Sequence, residues 1–174
     1  MRVPPAARYA AVVSETTGIV ALRDVVPADL AVFFEHQRDE DAVRMAASPV
    51  RERDAYFTHW RERVLASPDA RTRTIVVDDV VAGYIGSWDG DGVRLVAYWI
   101  GREYWGRGVG TAALRAFLEI DTARPLHAYV AAHNAGSMRV LERCGFRRVG
   151  EATMGEDGVA ECFYRLDGGR SSPP

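Results

Sequence analysis

The segment Trp105-Gly106-Arg107-Gly108-Val109-Gly110-Thr111 constrains this chain more than any other stretch. Ahead of it, Val93 to Ile100 is an apolar run of strand character. Behind it, Leu114, Phe117 and Leu118 fall on one face of a helix over Thr111–Ile120. Glycines between a strand and a helix permit a tight turn and a close approach of the main chain to a ligand. The turn feeds a helix N-terminus, where unpaired N–H groups and the helix dipole favour an anion such as pyrophosphate. Arg107 can add a charge-assisted contact to the same group. A tight connection without a ligand is the blander reading of the same residues.

Two familiar phosphate sites do not fit. Gly108-Val-Gly110-Thr-Ala-Ala113 matches GxGxxA by spacing, but that fingerprint needs the strand to run almost directly into its first glycine. Here Gly101 to Arg107 intervene. The next strand, Leu126 to Ala131, leads to His133-Asn134 and offers no carboxylate for a ribose. These points argue against a nicotinamide cofactor, and no GK[ST] exists to make a P-loop.

The rest of the chain reads as a mixed α/β domain. Gly18–Arg23 is a first strand, and Pro27 opens a helix carrying Leu30, Val32, Phe33 and Phe34. Arg51–Leu65 is a second helix, with Tyr56, Trp60 and Val64 at four-residue spacing. Arg73–Asp78, Val80–Trp88 and Val93–Ile100 form an antiparallel meander joined by Asp78-Asp79 and Asp89-Gly-Asp-Gly92. After the glycine segment, the strand Leu126–Ala131 is reached through a helix, so that pair is parallel. Asn134–Cys144 is a helix capped by Asn134 and stopped by Gly145. Phe146–Gly150 and Val159–Leu166 close the sequence as strands around the turn Glu156–Gly158. Residues 18–166 read as one domain, with a loose segment at 1–17 and a disordered tail at 167–174.

Composition excludes several classes. Hydrophobic residues make up 48% and charged residues 26% of 174, which is globular rather than disordered. A net charge of −2 argues against a nucleic-acid or anionic-membrane surface. No apolar run approaches the roughly 20 residues of a membrane span, and Met1-Arg-Val-Pro-Pro5 lacks the apolar core of a secretory signal. A cytoplasmic protein is expected. Cys144 and Cys162 lack CxxC spacing, and His36, His59, His127 and His133 are scattered, so no metal site and no disulfide framework are expected.

Tyr98-Trp-Ile-Gly-Arg-Glu-Tyr-Trp-Gly-Arg-Gly-Val-Gly-Thr111 resembles motif A of the GNAT N-acetyltransferase superfamily, in which [QR]xxGx[GA] cradles the pyrophosphate of acetyl-CoA. Asn134-Ala-Gly-Ser-Met-Arg-Val-Leu-Glu-Arg-Cys-Gly-Phe146 resembles its motif B. With the element order, the resemblance spans Gly18 to Leu166. It implies a central mixed sheet of about six or seven strands, antiparallel in its N-terminal half, with a splayed parallel pair and about four flanking helices. Trp105 stands where motif A usually has Gln or Arg. That Trp-Gly, with the NxxS…LExxGF form, is most similar to the Rim-type branch, which acetylates ribosomal-protein N-termini and includes members acting on small amines or antibiotics.

The resemblance implies acetyl-CoA as co-substrate, no metal, and an amine acceptor that is a small molecule or a peptide N-terminus, in a monomer or homodimer. Main-chain groups of Trp99, Ile100 and Gly101 would bond pantetheine. Trp105, Gly106, Arg107, Gly108, Val109, Gly110 and Thr111 would surround the pyrophosphate. Asn134 would contact the cofactor, or serve as an N-cap alone. Arg139 and Arg143 would reach the ribose phosphate or adenine, or line a solvated helix face. Ser137 is the candidate proton donor to the leaving thiolate, since the usual motif-B tyrosine is Leu141 here; its alternative is a serine satisfying the backbone.

The attacking amine must be neutral. At pH 7 that costs about 4.6 kcal/mol for a lysine of pKa about 10.4 and about 1.4 kcal/mol for an α-amine of pKa about 8. Positions that hold a base in some members are Arg94 and Tyr129, so a weakly basic amine with a water relay is expected. Asp89, Glu103, Glu35 and His133 are fallback bases. Phe33, Phe34, Tyr56, Trp60, Trp88 and Tyr98 are candidate acceptor walls or core aromatics, and Asp39, Glu40 and Asp41 a cation-attracting cluster or a solvated turn. The missing tyrosine and glutamate leave a non-catalytic CoA-binding or sensor domain as the alternative.

Overall fold

The computed structural model describes residues 8–14, 18–47, 50–90, 92–150, 153–154 and 158–168. Strands β1 (Arg8–Ser14), β2 (Gly18–Arg23), β3 (Arg71–Val77), β4 (Val80–Gly90) and β5 (Val93–Ile100) pair antiparallel in that order. β5 then pairs parallel with β6 (Leu126–Ala131). β9 (Ala160–Leu166) pairs antiparallel with β6, with β7 (Arg147–Arg148) and with β8 (Thr153–Met154), making nine strands among the described residues. The mixed sheet expected from the sequence is present. The additions are β1 and β8, and β1 pairs along β2 within the stretch read as a loose segment. The turn Glu156–Gly158 falls mostly outside the described residues, and of the expected tail 167–174 only residues 167 and 168 are described.

Two turns follow from local chemistry. Asp78 and Asp79 both take positive φ, 48° and 69°, the backbone a two-residue hairpin needs. Asp78 Oδ1 also accepts from Ile19 N–H at 2.9 Å, tying the β3–β4 turn to β2.

Helices cover both faces. α4 (Val109–Ile120) packs on one, against β1, β2, β4 and β5. Its Leu114 and Phe117 are fully buried with Val20, Leu22, Ile75, Ile85 and Val96. Each such side chain contributes roughly 1.5–3 kcal/mol by leaving water. α5 (Ala135–Arg143) packs beside α4 and buries Leu141 in the same core. On the opposite face lie α1 (Asp29–Gln37), α2 (Glu40–Ala46) and α3 (Arg53–His59), the last running into a π-helical turn over Trp60–Val64. Successive β4 residues separate the two cores: Ile85 faces α4, while Tyr84 joins Leu30, Phe33, Phe34, Tyr56 and Trp60. Phe33, Phe34, Tyr56 and Trp60 are thus buried packing rather than walls of an acceptor site. Among the described residues no helix is long and apolar enough to cross a membrane.

Candidate active site

β5 is paired with β6 at only two positions, Arg94 with Leu126 and Leu95 with His127. Its other edge is paired with β4 along its whole length, from Gly90–Val93 to Gly83–Ile100. The half from Val96 to Ile100 therefore diverges from β6 and leaves a gap. Register decides which main-chain groups face it. Gly101 N–H donates to Ala82 O at 2.9 Å, and a Cβ on Gly83 would lie 2.0 Å from the Trp99 carbonyl oxygen. Residues 99 and 101 are turned toward β4, so by the alternation of the ladder Tyr98 and Ile100 face the gap. This corrects the expectation for two residues: the main chains of Trp99 and Gly101 are engaged on the β4 side, and Gly101 O also accepts from Tyr104 N–H at 3.0 Å. Ile100 O faces the gap and accepts from Trp105 Nε1–H at 2.8 Å, which closes the turn over the strand end while leaving a second lone pair.

A cavity of about 630 Å³ lies at this open end. It is lined by Tyr98, Trp99, Ile100, Trp105, Gly106, Gly108, Val109, Gly110 and Thr111 on the strand and turn side, and by Asn134, Ser137, Arg139, Val140 and Arg143 on the α5 side. Of the residues expected from the sequence, Gly101 and Arg107 are the two outside that lining. The Arg107 guanidinium lies over the Tyr104 ring, 5.6 Å from its centroid.

The turn has φ of 72° at Gly106 and 84° at Gly108, the left-handed region where a Cβ is strained. At Gly110 the constraint is space instead. A Cβ there would come within 3.1 Å of Val140 and 3.2 Å of Ile100, so its absence lets α4 start close to both walls. α4 begins on Gly108 with no side-chain cap and no acidic residue in its first turn. The other helices each have one or the other: Asp29 in α1, the Asp39 cap on α2, Asp54 in α3 and the Asn134 cap on α5. The start of α4 thus keeps its first N–H groups and its positive dipole end for an anion from outside the chain. That is the fit a diphosphate requires.

Across the gap, Asn134 Oδ1 accepts from Ser137 N–H at 3.0 Å, so its carboxamide oxygen caps α5 and its NH₂ is the end left to meet a ligand. The Ser137 hydroxyl is 2.8 Å from the Tyr98 hydroxyl, which also donates to Ser137 O at 3.3 Å. Leu141, at the position usual for tyrosine, is fully buried. Cys144 is packed against the core, its thiol donating to Thr111 O at 3.7 Å and pushed up in pKa by burial.

Sequence reasoning missed the wall formed by Ala42, Met45 and Ala46 of α2. The signal was present: Asp39 accepts from Ala42 N–H at 2.9 Å as an N-cap, followed by acidic Glu40 and Asp41 in the first turn. Asp39 and Asp41 of the acidic cluster are engaged by cations. Arg102 lies 2.6 Å from Asp41 and 3.6 Å from Asp39, and Arg44 pairs with Asp41. His133 Nε2 meets Arg44 O at 2.8 Å, fastening the end of α2 to the β6–α5 loop.

The fallback bases are engaged elsewhere. Asp89 pairs with Arg94 at 3.2 Å, Glu35 with Arg38 at 3.3 Å, and Glu103 lies 3.4 Å from His36 Nε2. Arg94 sits at the paired end of β5, where its guanidinium bonds buried Asp121 and Ser87. Trp88 and Tyr129 are exposed, Tyr129 packing on Phe163 with ring centroids 4.6 Å apart.

Comparison with known proteins places this arrangement. A GNAT acetyltransferase domain model matches residues 20–147. No curated protein matches the chain. Among solved structures, the chain is similar to a GNAT-family acetyltransferase from Bacillus anthracis, at 16% identity, 92% of this chain and 98% of that one, with a TM-score of 0.75. It is similar to aminoglycoside acetyltransferase AAC(6')-Ib in complex with coenzyme A, at 22% identity over 85% and 94% of the two chains, TM-score 0.71. Mycobacterium smegmatis RimJ in complex with CoA-disulfide aligns at 18% identity over 93% and 86%, TM-score 0.70.

Proposed function

The chain belongs to the GNAT acetyltransferase family, and on that premise we propose that residues 18–166 work as one cytoplasmic domain, monomeric or homodimeric, that moves an acetyl group from acetyl-CoA to a primary amine. The acceptor is a peptide N-terminus or a small-molecule amine. The observation that carries this reading is the half-paired strand: β5 leaves β6 after Leu95, beside a helix start with neither cap nor acid. The coenzyme A of the AAC(6')-Ib complex and the CoA-disulfide of the RimJ complex support it by analogy.

Acetyl-CoA, when bound, supplies an activated acyl carbon for direct attack by the amine. The chain binds and orients. N–H groups at Gly108–Thr111 receive the pyrophosphate. The main chains of Tyr98 and Ile100 offer hydrogen bonds along the gap, one of them an N–H for the developing oxyanion. Asn134 contributes its NH₂, and Arg139 and Arg143 bring positive charge to the rim. Ser137 serves the departing sulfur.

With Arg94, Asp89 and Glu35 engaged in ion pairs and Glu103 set against His36, the reading favours an acceptor that needs little help to lose its proton. An α-amine, costing about 1.4 kcal/mol at pH 7 against about 4.6 for a lysine, meets that condition with water as relay. Incubation with acetyl-CoA and a panel of amines and N-terminal peptides, read by mass spectrometry, tests it; acetylated α-amines are expected. The buried Leu141 favours one second reading, a CoA-binding domain without turnover. Tight CoA binding with no acetylated product across the panel would establish that instead.

A further inference from the structure

We propose that Tyr98 positions Ser137: its phenol, reaching from β5 across the open gap, fixes the hydroxyl in the first turn of α5 as a hydrogen-bond donor to the sulfur of bound CoA. This rests on the acetyltransferase reading and deepens it, by assigning from the opposite wall the hydroxyl support that Leu141 cannot give. Both side chains line the cavity. The phenol is the stronger acid of the two hydroxyls, and its shorter contact, 2.8 Å, is to Ser137 Oγ, with Ser137 O at 3.3 Å behind it. In this assignment the single phenol proton is directed at Oγ, with Ser137 O as its longer second acceptor, and the Ser137 proton is left to turn into the cavity. The backbone beneath is fixed as well, because Ser137 N–H is held by Asn134 Oδ1 at 3.0 Å. Without the phenol, the serine hydroxyl is free to turn onto a main-chain carbonyl three or four residues back.

The pair donates hydrogen bonds and keeps its own protons. In acetyl transfer the C–N bond forms, the C–S bond breaks and its electron pair leaves on sulfur. The proton that neutralises sulfur is the one released by the acylated amine through water. An alkyl thiol titrates near about 8.5 and a free phenol near about 10, and burial pushes the Tyr98 phenol higher still. Full transfer from Tyr98 is thus uphill by more than about tenfold, whereas a hydrogen bond to a charged partner is strong.

The test needs no acceptor. The thiol of CoA bound to the protein is titrated by thiolate absorbance in wild type, Tyr98→Phe and Ser137→Ala. The other titratable and charged groups about the pair, Cys144, Tyr104, Arg139 and Arg143, are common to all three complexes. The bound thiol is expected to have an acid dissociation constant about three- to tenfold larger in wild type than in either variant. CoA affinity at pH 6, where the thiol is protonated, should stay within about twofold. Coincident titrations in all three CoA-bound proteins overturn the assignment of Tyr98 and Ser137 and leave the acetyltransferase reading standing. Absence of CoA binding to wild type overturns both.

Discussion

Within eight residues, β5 is held in two opposite ways. At its start Arg94 and Leu95 pair with β6, and the Arg94 guanidinium reaches Asp121 Oδ2 at 3.0 Å, Ser87 Oγ at 3.0 Å and Asp69 O at 2.6 Å. Asp121 is fully buried, and it also accepts from Ser87 and from Ala123 N–H. At its end the strand leaves β6, and a polar side-chain contact rather than a ladder connects the walls, Tyr98 to Ser137, while Trp105 closes the turn onto Ile100. A parallel pair opens over a few residues only if something clamps it at the other end. The charged network holds the start of β5 to β4 and to Asp121 at the end of α4, five residues before β6, and the gap at the other end is where main-chain donors become available to a ligand.

The most severe way to break this contrast is Asp121→Ala. It removes the buried carboxylate from Arg94 and leaves it only the exposed Asp89 as an acidic partner, and removal of one partner from a buried pair costs about 3–5 kcal/mol. Urea unfolding should show that loss. The same carboxylate sets the acid limb of stability. Burial alone would raise its pKa, but hydrogen bonds from Ser87, Ala123 and Arg94 hold it below the ordinary 3.8. A depressed folded value means the contribution is complete above about pH 4 and lost as pH falls through the lower folded value. Asp29, bonded by Arg23 at 2.6 Å and by Thr74, is held low in the same direction. Unfolding free energy measured against pH should therefore drop below pH 4, less steeply in Asp121→Asn.

The open end breaks differently. Gly108→Glu puts a side chain at φ 84° and a negative charge where the anion should sit. CoA affinity by calorimetry should fall at least about 100-fold, near 2.7 kcal/mol, with a smaller loss of stability. Smallest is Arg102→Ala, which removes an exposed cation from Asp39 and Asp41. Thermal unfolding should change by less than about 1 kcal/mol, while CoA dissociation quickens as the α2 wall loosens. A change above about 2 kcal/mol would show that the α2 attachment is structural rather than peripheral.

What could be read from the sequence divides along the same strand. The glycine turn, α4, α5 and the Asn134 cap were legible because each depends on residues within one or two turns of chain. The parallel pairing followed from the helix between β5 and β6. α2 was not read, since seven residues with acids at one end look like a solvated turn. The Arg94–Asp121 pair joins residues 27 apart and the Tyr98–Ser137 bridge residues 39 apart. Nothing local marks either partner, because an arginine on a strand or a tyrosine beside a tryptophan has many possible neighbours until the chain is folded. The orientation of Trp99 and Gly101 toward β4 was hidden for a related reason: register, not residue type, decides which edge a main-chain group faces.

A crystal structure of the protein with CoA tests the central claim most directly. Pyrophosphate oxygens should lie within hydrogen-bond distance of the N–H groups of Val109, Gly110 and Thr111, with the pantetheine arm beside Tyr98 and Ile100 between β5 and β6. Coenzyme bound away from that turn, or β5 and β6 paired through to Ile100, would contradict it.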